Sequence, residues 1–431
     1  MCIRDRPGSN KKYGLQHKPS NIGGNAMITR HIRNTAKSML IVGLLAVPVG
    51  AASADAQSDW LKKAQLGPHA GKQDWKAIEA AARKEGKVTI YSVSSRIFKL
   101  QKAFKERYGV EIEAFDISSS VQLEKFRRER KAGLNNVDVL FNNETPILQN
   151  EFLSAKMVWN FVPDSVAGQL SEDEKSPFLV QRWSSRVLFY NDAKHPNGAP
   201  IDNLWDLTRK EWKSKLLMPN PLEGSVMANT LQTILQHPKE MAAAYQAEFG
   251  KPIEFSKGLK KAVKKNPNLG KADASKEWLF RLLKNKPTYV SSTTKIYKNA
   301  GDVKQANPPL AITTFSKMRK YKKGTLQAAP AYDVKPAFGV AYPTVLVIAD
   351  RAPHPNAAKL LIRHMMEEGF KPWNVVGDFA SRADVAKKQM EKFKTPPFEK
   401  LNLWPIDQEH VYDTKYSYLQ LYLALRKYAK K

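Results

Sequence analysis

Serine, arginine and asparagine side chains follow three predicted β-strands at the points where the strands end. The strands cover residues 88–91, 110–115 and 137–141, and predicted helices separate them. Open α/β sheets bind ligands at the carboxyl ends of their strands, and a helix start offers free backbone N–H groups to an anion. The residues that we expect to contact a small polar ligand here are Ser94, Ser95, Arg96, Ser119 and Asn142.

A second group of candidate ligand-binding residues lies further along the chain. Gly224 and Ser225 open a predicted helix, and Arg186 alternates with Ser184 in a predicted strand over residues 183–190. An arginine that faces the ligand would bind a carboxylate or phosphonate through two parallel hydrogen bonds. The remaining candidates are Thr313 and Thr314, at the end of a strand over residues 310–314, and Tyr342 beside Pro343.

These residues also have structural interpretations. Ser94 and Ser95 are good helix caps, with Arg96 then lying in solvent. Arg186 could form a salt bridge within the protein. Asp378 and Arg382 are close enough in sequence that we expect them to pair with each other or to cap a helix locally.

The motif content argues against several classes of enzyme. The chain has 8 His, none in a His-Glu-x-x-His motif, and it lacks Gly-x-Ser-x-Gly, the phosphate-binding P-loop and Gly-x-Gly-x-x-Gly. Its 1 Cys is Cys2, so the rest of the chain can form neither disulfides nor thiolate metal sites. We therefore predict a binding protein that is not an enzyme, with no cofactor and no metal site.

The chain is strongly basic, with 70 Lys and Arg against 41 Asp and Glu and a formal net charge of +29. A positive field raises the encounter rate with anions. The charges are spread along predicted helices without a recognition motif, so nucleic acid is not a predicted partner. A cationic protein that binds the cell envelope is an alternative, supported by the lysine-rich residues 246–271, which we interpret as a surface insertion.

An export signal is predicted over residues 27–56. Arg30, Arg33 and Lys37 precede an apolar run, and small residues at positions 54–56 provide a cleavage site. Residues 1–26 have neither targeting nor domain character, and we treat them as an upstream leader outside the native structure. The length and the 42% hydrophobic content suffice for two packed α/β domains. The expected product is a monomer in the periplasm.

The order of the motifs resembles the iron(III)-type branch of the bacterial extracellular solute-binding proteins that serve ABC importers. The resemblance covers nearly all of the chain after about Trp75, and it depends on the order of motifs rather than on any one of them. The matching segments are 85–92 (EGKVTIYS), 100–109 (LQKAFKERYG), 137–140 (VDVL), 188–191 (LFYN), 205–207 (WDL), 218–221 (MPNP), 352–361 (APHPNAAKLL) and 381–385 (SRADV).

The resemblance implies the α/β fold of type 2 periplasmic binding proteins, in which two lobes close on one ligand. Each lobe would be a mixed sheet flanked by helices, and crossing strands would join the lobes. The expected lobes are residues 57–183 with 335–375, and residues 184–334 with 376–431. The resemblance also implies delivery of the ligand to an ABC permease in the inner membrane, with an ATPase subunit powering import.

The ferric members of this family bind metal through paired tyrosines just after the strand that matches residues 310–314. Here Thr313, Thr314, Phe315 and Ser316 follow Ile312, so the tyrosine pair is absent. Phenolate oxygens are anionic donors suited to Fe³⁺, and Phe or Thr cannot supply that charge. We therefore predict a small anionic ligand such as a phosphonate, sulfonate or carboxylate. Ferric ion and a polyamine- or thiamine-type cation are the alternatives.

Overall fold

A computed structural model describes residues 49–223 and 225–430. The leader (1–26) and residues 27–48 of the predicted export signal lie outside the described residues. The first helix, α1 (Val49–Ala64), contains the predicted cleavage position. Its second half is attached to the rest of the protein, because Leu61 and Ala64 are buried and Trp60 Nε1 donates to the Ala352 carbonyl at 3.1 Å.

The next part of the chain alternates helices with strands. β1 pairs in parallel with β2 on one side and with β3 on the other. Ser94 caps a 3-10 turn, Ser95–Lys99, that precedes α3. The elements are α2 (Trp75–Glu85), β1 (Lys87–Ser92), α3 (Gln101–Tyr108), β2 (Glu111–Asp116), α4 (Ser119–Lys131), β3 (Val139–Asn142), α5 (Thr145–Ile147) with a π turn Leu148–Leu153, β4 (Val158–Trp159), α6 (Asp164–Ala167), α7 (Glu172–Lys175) and β5 (Leu179–Tyr190).

The chain then builds a second group of elements. Most of its strands are parallel, since β6 pairs in parallel with β7 and with β8. A 3-10 turn, Phe315–Lys320, follows β8 directly. The elements are β6 (Leu216–Met218), α8 (Ser225–Leu235), α9 (Pro238–Phe249), α10 (Lys257–Lys265), α11 (Ala274–Lys284), β7 (Thr288–Tyr289), α12 (Thr293–Gly301), β8 (Leu310–Thr314) and β9 (Ala329–Pro330).

Two long strands connect the groups. The second of them begins the last part of the chain, which contains β10 (Gly339–Ala349), α13 (Pro355–Met366), β11 (Asp378–Ala380), α14 (Ala383–Phe393), β12 (Leu403–Pro405), α15 (Gln408–Asp413) and α16 (Lys415–Ala429). β5 and β10 pair antiparallel, with Ser184 opposite Tyr342. The sheet order is β2-β1-β3-β10-β5-β8-β6-β7. β10 therefore joins the first group through β3, and β5 joins the second through β8.

The order of the sheet corresponds to two main hydrophobic cores. One core packs β1 and β3 against α13, with Ile90, Phe141 and Leu361 fully buried. The other surrounds Trp278 and Tyr422, on α11 and α16. These cores agree with the two-lobed α/β fold that the sequence analysis predicts. The residue boundaries of the lobes stay a prediction.

Residues 246–271 are not a surface insertion, and that interpretation of the sequence is wrong. They include the end of α9 and all of α10, which packs against α16 and α11. Leu259 and Ala262 on α10 are fully buried in the second core, and lysines occupy the other face of the helix. The lysines of α10 therefore form the polar outer face of an amphipathic helix.

β10 continues through Pro343, where the sequence suggests an interruption.

None of the described helices has an apolar stretch long enough to span a membrane.

Candidate ligand-binding cleft

A polar cleft of about 590 Å³ lies between the two groups of elements. Its volume is within the range of about 300–1,000 Å³ that is typical of small-molecule sites. The lining residues are Val93, Ser94, Ser95, Arg96, Asp116, Ser118, Ser119, Ser120, Asn143, Arg182, Ser184, Arg186, Pro219, Asn220, Glu223, Val226, Met227, Ser291, Thr293, Thr294, Thr314, Ser316, Lys317, Arg319, Tyr342 and Asp378.

Seven of the residues singled out in the sequence line this cleft. They are Ser94, Ser95, Arg96, Ser119, Arg186, Thr314 and Tyr342. The structure brings them together because the ends of β1, β2 and β3 meet the middle of β5 and β10 and the end of β8 at one place in the sheet.

Two predicted residues do not reach the cleft. Asn142 is fully buried beneath it, where its Nδ2 donates to Gln122 Oε1 at 2.9 Å and its Oδ1 accepts from the backbone of Glu144 at 2.7 Å. Its neighbour Asn143 lines the cleft instead. Thr313 is also buried, and its hydroxyl donates to the Thr293 carbonyl at 3.2 Å. Strand alternation places Thr314, not Thr313, on the cleft side of β8.

The candidate ligand-binding residues Gly224 and Ser225 are only partly described by the structure. Gly224 lies outside the described residues, and Ser225 is the first residue of α8. Pro219, Asn220 and Glu223 precede it and line the cleft.

Arg186 is the most unusual lining residue. Its side chain comes from the middle of the sheet, and only 9% of the residue is exposed. Nη1 donates to the Thr314 hydroxyl, its cross-strand partner, and the guanidinium lies 5.8 Å from the centre of the Tyr342 ring. Nε has no hydrogen-bond partner. No described carboxylate forms a salt bridge with Arg186, so the salt-bridge interpretation of this residue is wrong.

Two other arginines of the cleft share one carboxylate. Arg96 Nη1 lies 2.7 Å from Asp378 Oδ2, and Arg182 Nε lies 3.5 Å from Oδ1. Ser184 also donates to Oδ1, at 2.9 Å. Although burial favours the neutral acid, Arg182 and Arg96 hold the pKa of Asp378 below its ordinary value. Arg96 is therefore not a solvated residue beside a helix cap, although Ser94 does cap the 3-10 turn.

The expectation that Asp378 pairs with Arg382 is wrong. Arg382 binds Asp384 instead, with Nη2 2.6 Å from Oδ2. The partners of Asp378 come from distant parts of the chain, so local sequence spacing could not identify them.

Two further cations, Lys317 and Arg319, enter the cleft from the 3-10 turn after β8. Neither forms a salt bridge with a described carboxylate. Lys317 is mostly buried, and this burial, with Arg319, Arg186 and Arg96 nearby, lowers the pKa of its ammonium to about 7. Arg319 is exposed, and its Nη1 donates to the Ser316 carbonyl at 2.7 Å.

Sequence reasoning missed Arg182, Lys317, Arg319 and Asp378 as site residues. Arg182 could have been found, because strand alternation places it on the same face of β5 as Ser184 and Arg186. Lys317 and Arg319 have a weaker sequence signal as site residues, because only their position just after the end of a strand indicates the cleft.

The oxygen donors that a metal cation would need are few among the described lining residues, whose carboxylates are Asp116, Glu223 and Asp378. Tyr342 is the one tyrosine among the described lining residues, since Tyr297 donates to the Ala328 carbonyl inside a core and Tyr321 donates to Asp192 at the surface. Asp378 is already paired. Elsewhere in the described structure, Asp202, Asp206 and Glu248 form an acidic cluster, but Arg209 binds two of these carboxylates.

Comparison with solved structures shows what this architecture resembles. Iron-bound HitA from Pseudomonas aeruginosa matches with a TM-score of 0.56 at 17% identity, over 79% of this chain and 99% of that one. AfuA from Actinobacillus pleuropneumoniae, with fructose-6-phosphate bound, gives 0.56 at 15%, over 80% and 99%. AgtB from A. tumefacien R10, in complex with agropinic acid, gives 0.55 at 12%, over 80% and 99%.

No protein-family model and no curated protein sequence matches the chain. The structural matches have low identity and different ligands, so they establish the architecture and not the cargo. The protein has the two-lobed α/β fold of the type 2 periplasmic binding proteins.

Proposed function

We propose that this protein is a periplasmic solute receptor that captures a small organic anion between its two lobes and delivers it to an ABC permease. The single observation that carries the anion assignment is the buried guanidinium of Arg186, which has no carboxylate partner among the described residues. Leaving a charge buried and unpaired costs several kcal/mol. An anionic ligand in the cleft would supply the missing counter-charge and the missing acceptor for Nε.

The charge balance of the cleft supports the same ligand class. Five cationic side chains line it, namely Arg96, Arg182, Arg186, Lys317 and Arg319, against the carboxylates Asp116, Glu223 and Asp378. Asp378 is bound by Arg96 and Arg182, and the other two carboxylates are exposed at the rim. Ferric ion and polyamines would meet uncompensated positive charge beside Arg186.

The placement of the cleft supports a receptor rather than a catalyst. Residues from both sides contribute to it, so a bound ligand can make contacts in the closed state that the open state lacks. Arg96 Nη2 already lies 3.4 Å from the Ser316 hydroxyl on the other side. The solved proteins that share the fold are binding proteins. Export to the periplasm, the permease and the monomeric state belong to this proposal.

A thermal-shift screen tests the proposal. The probes are phosphate monoesters, sulfonates and carboxylates, with spermidine and ferric citrate as the competing classes. We expect an organic anion to raise the melting temperature, since a ligand at about 100 times its Kd stabilises by about 2.7 kcal/mol. The shift should disappear in Arg186→Met and persist in Arg128→Met, which removes an exposed arginine from α4. Stabilisation by spermidine or ferric citrate alone would overturn the proposal.

A further inference from the structure

The cations of the cleft are not equivalent, and their arrangement restricts the charge of the ligand. Arg96 and Arg182 are held by Asp378. Arg186, Lys317 and Arg319 have no salt bridge to any described carboxylate, and all three gather around the end of β8. Arg186 reaches this point through its hydrogen bond to Thr314, while Lys317 and Arg319 follow Thr314 in the 3-10 turn.

Lys317 is surrounded by charged groups from several elements. Arg319 lies on the same turn, Arg186 on β5 and Arg96 on the turn before α3, and all three repel its ammonium. Asp378 on β11 and Asp116 at the end of β2 attract it, neither closely enough to form a salt bridge. Burial and the repulsion dominate, so without a ligand Lys317 is poised between its charged and neutral forms near pH 7.

We propose that the ligand carries a dianionic phosphoryl group, and that Lys317 takes up a proton when this group binds beside Arg186 and Arg319. The inference rests on the proposed function and narrows the anion to one class. A single negative charge satisfies Arg186 but leaves Lys317 beside other cations. A second negative charge on the same group favours the ammonium form, because an opposite charge within a few ångströms favours the charged form of a titrating group.

Hydroxyl groups near these cations fit the same chemistry. Ser316 is buried in the 3-10 turn and Thr314 directly precedes it, and both line the cleft. Their hydroxyl oxygens accept from Arg96 and Arg186, so each keeps an O–H group that can donate to a ligand, whereas the hydroxyl of Ser184 donates to Asp378. A phosphoryl group has three strong acceptor oxygens, enough for hydroxyl donors as well as the cations. The volume of about 590 Å³ leaves room for an organic remainder attached to the phosphoryl group.

The test compares methyl phosphate with methyl sulfate, which have nearly the same shape but carry two charges and one. A phosphate monoester loses its second proton with a pKa of about 6, so it is mainly a dianion at pH 7.5. We expect methyl phosphate to bind about tenfold more tightly or better at this pH. Titration calorimetry in two buffers of different ionisation enthalpy should show net proton uptake on binding.

The pH dependence provides a second readout. If the bound form requires a protonated Lys317, the Kd for methyl phosphate should rise roughly fivefold between pH 7 and pH 8, since the protonated fraction of a group with a pKa near 7 falls by that factor. Lys317→Arg should retain the preference for methyl phosphate and lose the proton uptake. Lys317→Met should lose both, and Lys298→Met, which removes an exposed lysine of α12, should lose neither.

The outcomes separate this inference from the proposed function. Equal affinities for the two probes without proton uptake would overturn the dianion assignment and leave an anion receptor. If neither probe nor any other organic anion binds, both conclusions fall. Glycerol 3-phosphate should bind more tightly than inorganic phosphate; the reverse order would identify free phosphate as the cargo and overturn the organic ligand.

Discussion

Nη1 of Arg96 lies 2.7 Å from Oδ2 of Asp378, although 282 positions separate the two residues in the chain. The contact fixes the turn before α3 against β11, and it occupies Asp378 so that this carboxylate does not neutralise Arg186. Arg182 shares Asp378, and burial lowers the pKa of Arg182 to about 10 while Asp378 opposes that effect. Arg96 and Arg182, which share Asp378, therefore lie in the same cleft as Arg186, which has no carboxylate partner among the described residues.

Removal of that carboxylate should be strongly destabilising. Asp378→Asn leaves the guanidinium groups of Arg96 and Arg182 facing each other without a counter-charge, and breaking a buried ion pair from one side costs about 3–5 kcal/mol. Chemical denaturation of the ligand-free protein measures the change. Asp384→Asn is the control, because its pair with Arg382 is more exposed, and we expect it to cost less than about 1 kcal/mol. Equal effects would refute the role of Asp378.

Replacement of Arg186 should instead stabilise the ligand-free protein. Arg186→Met replaces a buried cation that lacks a carboxylate partner with an apolar side chain of similar length. We expect the ligand-free protein to gain about 1–2 kcal/mol in the free energy of unfolding, since apolar replacement of buried charge is often stabilising. Denaturation with urea measures this gain, and Arg128→Met should be nearly neutral. A loss of stability in Arg186→Met would mean that the contacts with Thr314 and Tyr342 already compensate the buried charge, and would refute the missing counter-charge.

Glu144 should make stability fall as the pH rises. Burial raises the pKa of its carboxyl to about 7, against the opposing effects of Asn229 and Lys415, and its Oε2 has no hydrogen-bond partner. Because the folded-state pKa is above the unfolded value, the stabilisation is fully present below about pH 4.5 and is lost as the pH rises through 7. The expected loss approaches about 3 kcal/mol by pH 8.

Denaturation curves at pH 5.5 and pH 8.0 check this prediction. Glu144→Gln should remove most of the difference between the two pH values, because the amide keeps the shape of the carboxyl and does not ionise. Glu106→Gln, which changes an exposed residue of α3, should retain the difference. The same slope in wild type and Glu144→Gln would show that another group is responsible.

Gly377 should tolerate no side chain. Its φ is +79°, and a Cβ atom would lie 2.6 Å from the backbone carbonyl carbon of Phe315. Gly133 has a similar φ of +74° and no atom within 4 Å of the added Cβ, so Gly133→Ala measures the backbone strain alone, about 1 kcal/mol. We expect Gly377→Ala to cost about 2–4 kcal/mol in thermal or chemical denaturation. It should also weaken anion binding, because Phe315 leads into the turn that carries Lys317.

The sequence predicted most elements of the fold because their signals are local. β8 has the bounds expected for the strand over residues 310–314, and the strand expected over residues 88–91 is β1, Lys87–Ser92. The export signal, the lobe boundaries and the monomeric state stay predictions. α10 was misinterpreted because its 2 fully buried residues, Leu259 and Ala262, are a weak apolar stripe among many lysines.

In the candidate site, too, the features with local sequence signals were predicted and those that depend on distant contacts were not. The amino-acid sequence was sufficient to identify the serine-rich strand ends, Arg186 and the absence of the ferric tyrosine pair, since strand alternation and residue chemistry are properties of short segments. The folded structure was needed to show that Asp378 pairs with Arg96 and Arg182, that Lys317 and Arg319 lie near Arg186, and that Asn142 and Thr313 point away from the cleft. Pairing between distant charges depends on which strands are neighbours, and the neighbours of β5, which are β8, β10 and β11, come from distant parts of the chain.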